Sequence, residues 1–315
     1  MRATATLSIA THEECAQHTP FHGHPERPER LRAALSGAEG LAARRVAVRL
    51  DEPAVLAAIE RVHDGALAAR LEEACLSAPA VFDSDDNPIS EGTYRSALAA
   101  VAAALAGVEE IGARGAERVW VPVRPPGHHA LRDRAMGFCF FNNAAIAAEE
   151  LTARGIGPVA IVDFDVHHGN ATQAHFWERS DVFYLSVHRY PAFPGTGAGD
   201  EVGSGRGRGF TRNYPLAAGA DDATYTGALA SGLEDVLAAV TPAVWVVSAG
   251  FDAHREDPLG GMAVTDAGFG AIGELLSQGA GKSPLLAVLE GGYALEALTR
   301  SVRTFLIGLN GAVPS

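Results

Sequence analysis

Short apolar runs alternate with longer Ala- and Leu-rich runs along the whole chain. LSIA (7–10), RVAVRL (45–50), VWVPV (119–123), PVAIVDFDV (158–166), VFYLSVH (182–188), AVWVVSAGF (243–251) and PLLAVLEGG (284–292) are rich in Val, Ile, Leu or Trp and bounded by Gly, Pro or Asp. They read as strands. Several are apolar on both alternating faces, as parallel strands are when helices cover both sides of the sheet. Glu91–Gly112, Asn142–Arg154, Ala223–Val240, Ala267–Gln278 and Ala294–Leu309 lie between them, each long enough and rich enough in helix formers for a helix. This order predicts an α/β fold: a three-layer α/β/α sandwich around a mainly parallel sheet.

No break in composition divides the pattern, so residues 1–315 are expected to form one domain. The Gly-rich stretch PGTGAGDEVGSGRGRG (194–209) lies between strand runs, where a loop of that length is more often functional than a boundary. Its glycines do not follow a strand into a helix, so they do not make a dinucleotide fingerprint.

Composition narrows the class. Hydrophobic residues make up 47 % of the 315, and the net charge is −13. The chain can bury a large core, while its negative field disfavours nucleic acid and anionic membranes as partners and suits cationic substrates or products. Cys15, Cys75 and Cys139 form no C-x-x-C pair, which points to a reducing compartment rather than a disulfide framework. The start has no apolar leader after Arg2, and no uninterrupted apolar run reaches about 18 residues. A soluble cytoplasmic protein is expected.

Several strand runs end in polar groups that resist burial. In VDFDVHHGN (162–170), strand alternation would put Asp163, Asp165 and His167 on one face and Phe164, Val166 and His168 on the other. Open α/β sheets bind ligands at such carboxyl ends. Asp252 follows another apolar run, and Asp165, His167 and Asp252 together would give a mixed oxygen and nitrogen set of three metal ligands with a position left open. Zinc is the default ion, with iron(II) compatible. At a third run end, VWVPVRPPGHHA presents His128 and His129 together, a pair suited to proton transfer. At a fourth, Tyr293 follows two glycines, where its phenol could serve an oxyanion or simply pack.

RPPGHHA (124–130), MGFCFFNNAAIAA (136–148), VDFDVHHGNATQ (162–173), SVHRYPAFPGTG (186–197), SAGFDAHREDPLGG (248–261) and EGGY (290–293) together resemble the metal-dependent histone deacetylase family, in its class II, bacterial amidohydrolase-like and acetylpolyamine amidohydrolase branch. The likeness runs from HGHPERPERL at His22 to Tyr293. It implies an arginase-like fold and hydrolysis of an N-acetyl amide, acetyl-lysine first and acetylpolyamine as the alternative, giving acetate and a free amine. It makes Asp165, His167 and Asp252 the zinc ligands, His129 the general base and acid, His128 its electrostatic partner, Tyr293 the carbonyl-polarising phenol and Asp163 the carboxylate bonded to one histidine. Asn170 stands where some members carry a second such Asp, which implies a less basic partner histidine. Phe138 and Phe193 match the walls of an acyl-lysine channel, with Gly137 at its floor and Leu259 at the gatekeeper position. Potassium is implied at the carbonyls of Asp163, Asp165, His167, Ser186 and Val187, and at a second set, Phe176, Arg179, Val182 and Phe210.

Asp83, Asp85 and Asp86, in the acidic stretch VFDSDDNPIS (81–90), are left as either substrate contacts or a solvated charge run. A non-catalytic acetyl-group-binding regulator is the remote alternative. Against it stand His128, His129 and Tyr293, all retained. Oligomeric state is left open.

Overall fold

A computed structural model describes residues 7–311; residues 1–6, Arg2 among them, and residues 312–315 lie outside it. In chain order the elements are β1 (Leu7–Ala10), α1 (Glu29–Gly37), β2 (Ala43–Val46), α2 (Glu52–Ile59), α3 (Gly65–Cys75), β3 (Ala80–Val81), β4 (Pro88–Ile89), α4 (Thr93–Arg114), β5 (Arg118–Val121) and α5 (Asn143–Ala153). There follow β6 (Val159–Asp163), α6 (Asn170–Phe176), β7 (Val182–Arg189), β8 (Thr211–Leu216), α7 (Asp222–Ala239), β9 (Val244–Ala249), α8 (Asp266–Ala280), β10 (Leu285–Leu289) and α9 (Leu295–Leu309).

Eight strands form one sheet in the order β2-β1-β5-β10-β9-β6-β7-β8. Every neighbouring pair in it is parallel. The central strands feed two cores in strict alternation. Val159 and Ile161, Val244 and Val246, and Leu286 and Val288 pack on the side of α2 to α5. Ala160 and Val162, Trp245 and Val247, and Leu285, Ala287 and Leu289 pack on the side of α1, α7, α8 and α9. Both faces are covered, which is why these runs read as continuously apolar. The expected three-layer α/β/α sandwich is the observed architecture.

Helix α4 lies against the sheet at Gly107, where an added Cβ would come 2.5 Å from a methyl carbon of Leu286. By length and composition α4 could cross a membrane, although it holds no uninterrupted apolar run of about 18 residues. Its apolar residues Leu98 to Ala104 are buried in the protein's own core.

Some boundaries depart from the sequence expectation. The run 45–50 was expected as a strand, but β2 is Ala43–Val46, set by its register with β1 (Leu7↔Ala43). An edge strand gains its hydrogen bonds from one neighbour and needs little apolar surface, so the apolar pattern misplaces it. Strand β8 was not expected at all. Its Pro215 cannot donate to a ladder, and the edge position tolerates that. Most consequential for the site, β6 stops at Asp163, so Asp165 and His167 lie beyond the strand rather than in it.

Candidate active site

The loops after β5, β6, β9 and β10 meet at one edge of the sheet. Past the end of β6 the chain turns through bonds made by its own carboxylates: Asp163 Oδ1 accepts from the Asp165 amide at 3.1 Å, and Asp165 Oδ1 from the His167 amide at 2.9 Å. Phe164 and Val166 still point into the core. The in-and-out alternation expected of a strand therefore survives, but these bonds and this packing impose it, not a ladder.

Neighbouring strands complete the arrangement. Asp252 Oδ1 accepts from the Val166 amide at 2.9 Å, and Asp165 Oδ2 from the Gly291 amide at 2.8 Å. His167 Nδ1 then lies 3.2 Å from Asp165 Oδ1 and 3.1 Å from Asp252 Oδ2. One donor atom from each of Asp165, His167 and Asp252 falls within 4.8 Å of the others.

The electrostatics of this cluster match a cation site. Burial and the charge of Asp165 push the Asp252 carboxyl up to about 7. Burial would also raise Asp165, but the charge of His128 and the bonds and charge of His167 hold it well below the usual carboxylate range. Burial would depress His167, yet its bonds to Asp165 and Asp252 and their charges raise it to about 10. Two buried carboxylates around one imidazole nitrogen thus retain a proton where a divalent ion could sit, and the oxygen and nitrogen donors fit zinc or iron(II).

The histidine pair stands beside this cluster, ring centroids 3.9 Å apart. The Glu290 carboxylate accepts from the Gly127 and His128 amides at 2.6 and 3.2 Å, fixing the turn that presents the pair. The two imidazoles have unlike partners. His128 Nδ1 is 3.0 Å from Asp163 Oδ2, whereas His129 Nδ1 is 2.7 Å from the amide oxygen of Asn170. Burial works against charge on both, but the charges of Asp163 and Asp165 bring His128 up to about 10. His129 falls well below its ordinary value through burial and the charges of His128 and His167. A charged imidazole therefore lies next to a neutral one.

A cavity of about 250 Å3 opens above these groups, with His129, His167 and Tyr293 among its inner lining. Phe138 and Phe193 form its walls. The Phe193 ring stands 5.1 Å from His129, and the Phe138 ring 5.8 Å from Tyr293. Phe138 takes φ +67°, unusual for a bulky residue, and is held there by the bond from its amide to Asn87 Oδ1 at 2.7 Å. Gly137 admits no side chain, because a Cβ would come 2.5 Å from the His129 ring. Leu259, Arg189 and Asp86 complete the lining. Leu259 is 37 % exposed, at the mouth.

The acidic stretch separates into three roles. Asp83 is tied to Arg70 at 2.7 Å and to the Ala135 amide at 3.0 Å. Asp85 is exposed. Asp86 lines the cavity and accepts from the Gly137 amide at 2.9 Å. His168 turns away from the cluster to Thr196 and Gln173.

The carbonyl-bearing residues expected at potassium fall in two places. Asp163, Asp165, His167, Ser186 and Val187 lie in or just beyond the C-terminal halves of β6 and β7, and Phe176, Arg179, Val182 and Phe210 near the other end of β7. Several of these carbonyls already accept a bond, Val187 from Tyr225 Oη at 2.8 Å and Phe210 from the Tyr184 amide at 2.8 Å. A carbonyl oxygen has a second lone pair to offer.

Sequence reasoning gave no role to Glu290, Arg189 or Arg30, although each falls in a quoted motif. Arg30 is fully buried, donates to the carbonyls of Gly292 at 2.6 Å and Glu290 at 2.5 Å, and stacks 4.7 Å from the Tyr293 ring centroid. A charged residue in a helix carries no mark of burial. The signal lies only in its future partners.

A histone deacetylase domain matches residues 24–309. The chain belongs to the histone deacetylase family. Among its relatives in the family, acetylpolyamine amidohydrolase 2 of Pseudomonas aeruginosa is 42 % identical over 71 % of this chain and 65 % of its own. Histone deacetylase 15 of Arabidopsis thaliana is 36 % identical over 99 % of this chain and 58 % of its own. The chain thus spans less than two thirds of the length of these curated relatives. A crystal structure of acetylpolyamine aminohydrolase from Burkholderia pseudomallei superposes with a TM-score of 0.82 at 32 % identity, covering 96 % of this chain and 98 % of that one. The deacetylase-type α/β fold is therefore shared over nearly the whole of both chains.

Proposed function

We propose that this chain is a metal-dependent hydrolase of N-acetyl amides that releases acetate and a free amine, with residues 1–315 acting as one catalytic domain. One observation carries the reading: Asp165, His167 and Asp252 converge beside the neutral His129 and the phenol of Tyr293, at the bottom of a slot walled by two phenylalanines.

A divalent ion held by those ligands, zinc or iron(II), supplies Lewis acidity toward a carbonyl oxygen and makes water more acidic. The chain's own groups do the rest. Phe138 and Phe193 grip an apolar methylene stem and exclude water from it. Tyr293, whose phenol stays protonated because burial raises its pKa, donates a hydrogen bond to the acetyl oxygen and holds the negative charge that develops there. His129 takes the proton from the attacking water, because burial keeps its imidazole neutral, and later returns it to the leaving nitrogen. His128, kept charged by Asp163, steadies the oxyanion electrostatically and discourages a second proton on His129.

The acetylated lysine side chain is the substrate we favour, because the mouth is apolar at Leu259 and the charges of Arg189 and Asp86 in the lining offset each other, leaving no net acidic gate for a distant ammonium. Acetylpolyamine is the second reading, supported by the name of the Pseudomonas relative. The leftover carbonyl lone pairs near β7 extend the proposal to potassium, checked by the dependence of rate on that ion. The deciding experiment measures kcat/KM for an acetyl-lysine peptide, acetylputrescine and acetylspermidine, with zinc and with iron(II), before and after chelation. Turnover of none of them, or turnover indifferent to chelation, would sink the assignment.

A further inference from the structure

The mouth residue Leu259 and the phenol Tyr293 lie on different loops, after β9 and after β10. One side chain joins them. Asp257 is 9 % exposed, and each of its carboxylate oxygens serves one loop. Oδ1 accepts from the amides of Leu259 at 2.9 Å and Gly260 at 3.3 Å. Oδ2 accepts from the amides of Tyr293 at 2.6 Å and Ala294 at 3.3 Å.

We propose that Asp257 is a positioning residue that fixes Tyr293 and Leu259 relative to each other, so that the carbonyl-polarising phenol and the channel mouth are set by one carboxylate. Its importance to turnover rests on the function proposed above; the positioning itself does not.

The groups around it support the assignment. On the other side of the Tyr293 loop, Arg30 binds the carbonyls of Glu290 and Gly292, so both the amides and the carbonyls of that loop have fixed partners. On the Leu259 loop, the Gly260 carbonyl accepts from Arg189 at 2.8 Å, and Arg189 itself lines the cavity. A backbone bond from the Phe251 amide to the Gly291 carbonyl at 3.0 Å joins the bases of the two loops, and the Asp257 side chain bonds to both nearer the mouth. A carboxylate suits the task because both of its oxygens only accept. An amide of the same shape offers one acceptor and one donor, so asparagine can hold one loop but meets the other with the wrong polarity.

The test uses the full chain, metal-loaded, with single-residue hydrogen exchange and kinetics. In the unaltered protein the amides of Leu259, Gly260, Tyr293 and Ala294 should exchange slowly, at rates within about tenfold of one another, as members of one opening unit do. Rates that differ between the two loops by on the order of a thousandfold would overturn the proposal without any variant. In Asp257→Ala, which offers no acceptor, protection should fall in both 257–261 and 291–295, and in Asp257→Asn in one of them only; loss in neither loop of either variant, or in only one loop of Asp257→Ala, overturns it.

Kinetics on an acetyl-lysine peptide then test the route through Tyr293. Asp257→Ala should lower kcat on the order of tenfold to a hundredfold, since small misplacements of a reacting group cost that much. In a Tyr293→Phe background the same change should cost less than about twofold, because its target is already gone. Equal losses in both backgrounds contradict the assigned route. If the unaltered protein hydrolyses no acetyl amide, the functional reading fails, and the exchange rates alone decide the clamp.

Discussion

Nδ1 of His129 lies 2.7 Å from Oδ1 of Asn170. A neutral amide oxygen fixes the ring's orientation and stabilises its charge far less than the Asp163 carboxylate does that of His128. Asn170→Asp should therefore make His129 more basic. The base must be unprotonated to act, so raising its pKa moves the acid limb of the kcat/KM profile to higher pH, by about one unit or more. Parallel pH–rate profiles check this, and an unmoved limb would contradict His129 as the base.

Tyr293 is 8 % exposed and lines the cavity, where the proposed mechanism uses its hydroxyl as a hydrogen-bond donor. Tyr293→Phe keeps the ring stacked under Arg30 and deletes only the donor. A fall in kcat on the order of a hundredfold is expected, with KM changed far less, as for other oxyanion donors. Steady-state kinetics decide, and a loss confined to KM would assign the hydroxyl to substrate binding instead.

Among the described residues, Asp165, His167 and Asp252 form a single cluster able to hold a metal ion. Metal analysis of the purified protein should find one divalent ion per chain. Stripping it should abolish hydrolysis and lower the thermal midpoint, because a ligand bound only by the folded state stabilises that state. Asp252→Ala should bind the ion more weakly and show a smaller thermal shift on adding zinc. Two ions per chain would point to ureohydrolase-like chemistry.

His63 lies far from that cluster in sequence and is committed to the neutral form. Its Nδ1 donates to the Leu131 carbonyl at 2.8 Å, while Nε2 accepts from the Asn142 amide at 2.8 Å, where α5 begins. Burial lowers its pKa to about 4, and that of buried His18 also to about 4. The unfolded chain takes up these protons first. Their stabilising effect is complete above about pH 6.5 and is lost as the pH falls toward 4, at up to ~1.4 kcal/mol per pH unit for each histidine. Urea titrations across this range should show the slope, and His63→Phe should reduce it by one histidine's share. An unchanged slope would mean that His63 is not buried neutral.

The layered fold and most site residues were legible in the chain because their signals are local. An apolar run marks a strand, and a polar group at its end marks an opening in the sheet. Asp165, His167, Asp252, His128, His129 and Tyr293 all follow such runs. What stayed hidden depends on contacts distant in sequence. Arg30 meets Glu290 and Gly292 only after the chain has crossed the whole sheet. Asp86 differs from Asp83 and Asp85 through which amide or cation each side chain reaches. Edge strands β2 and β8 escaped or shifted for a related reason: their partners, not their own composition, define them.

The place of β10 has a consequence for assembly. It is the last strand in sequence, yet it lies between β5 and β9. Until Leu285–Leu289 docks, the other strands can form only two separate half-sheets. One half carries the histidine pair; the other carries Asp165, His167 and Asp252. Tyr293 arrives with the wedge that joins them. The site is thus a seam between two halves of the molecule: Asp165, His167 and Asp252 stand on one side, the histidine pair on the other, and the strand that brings Tyr293 is the one that closes it.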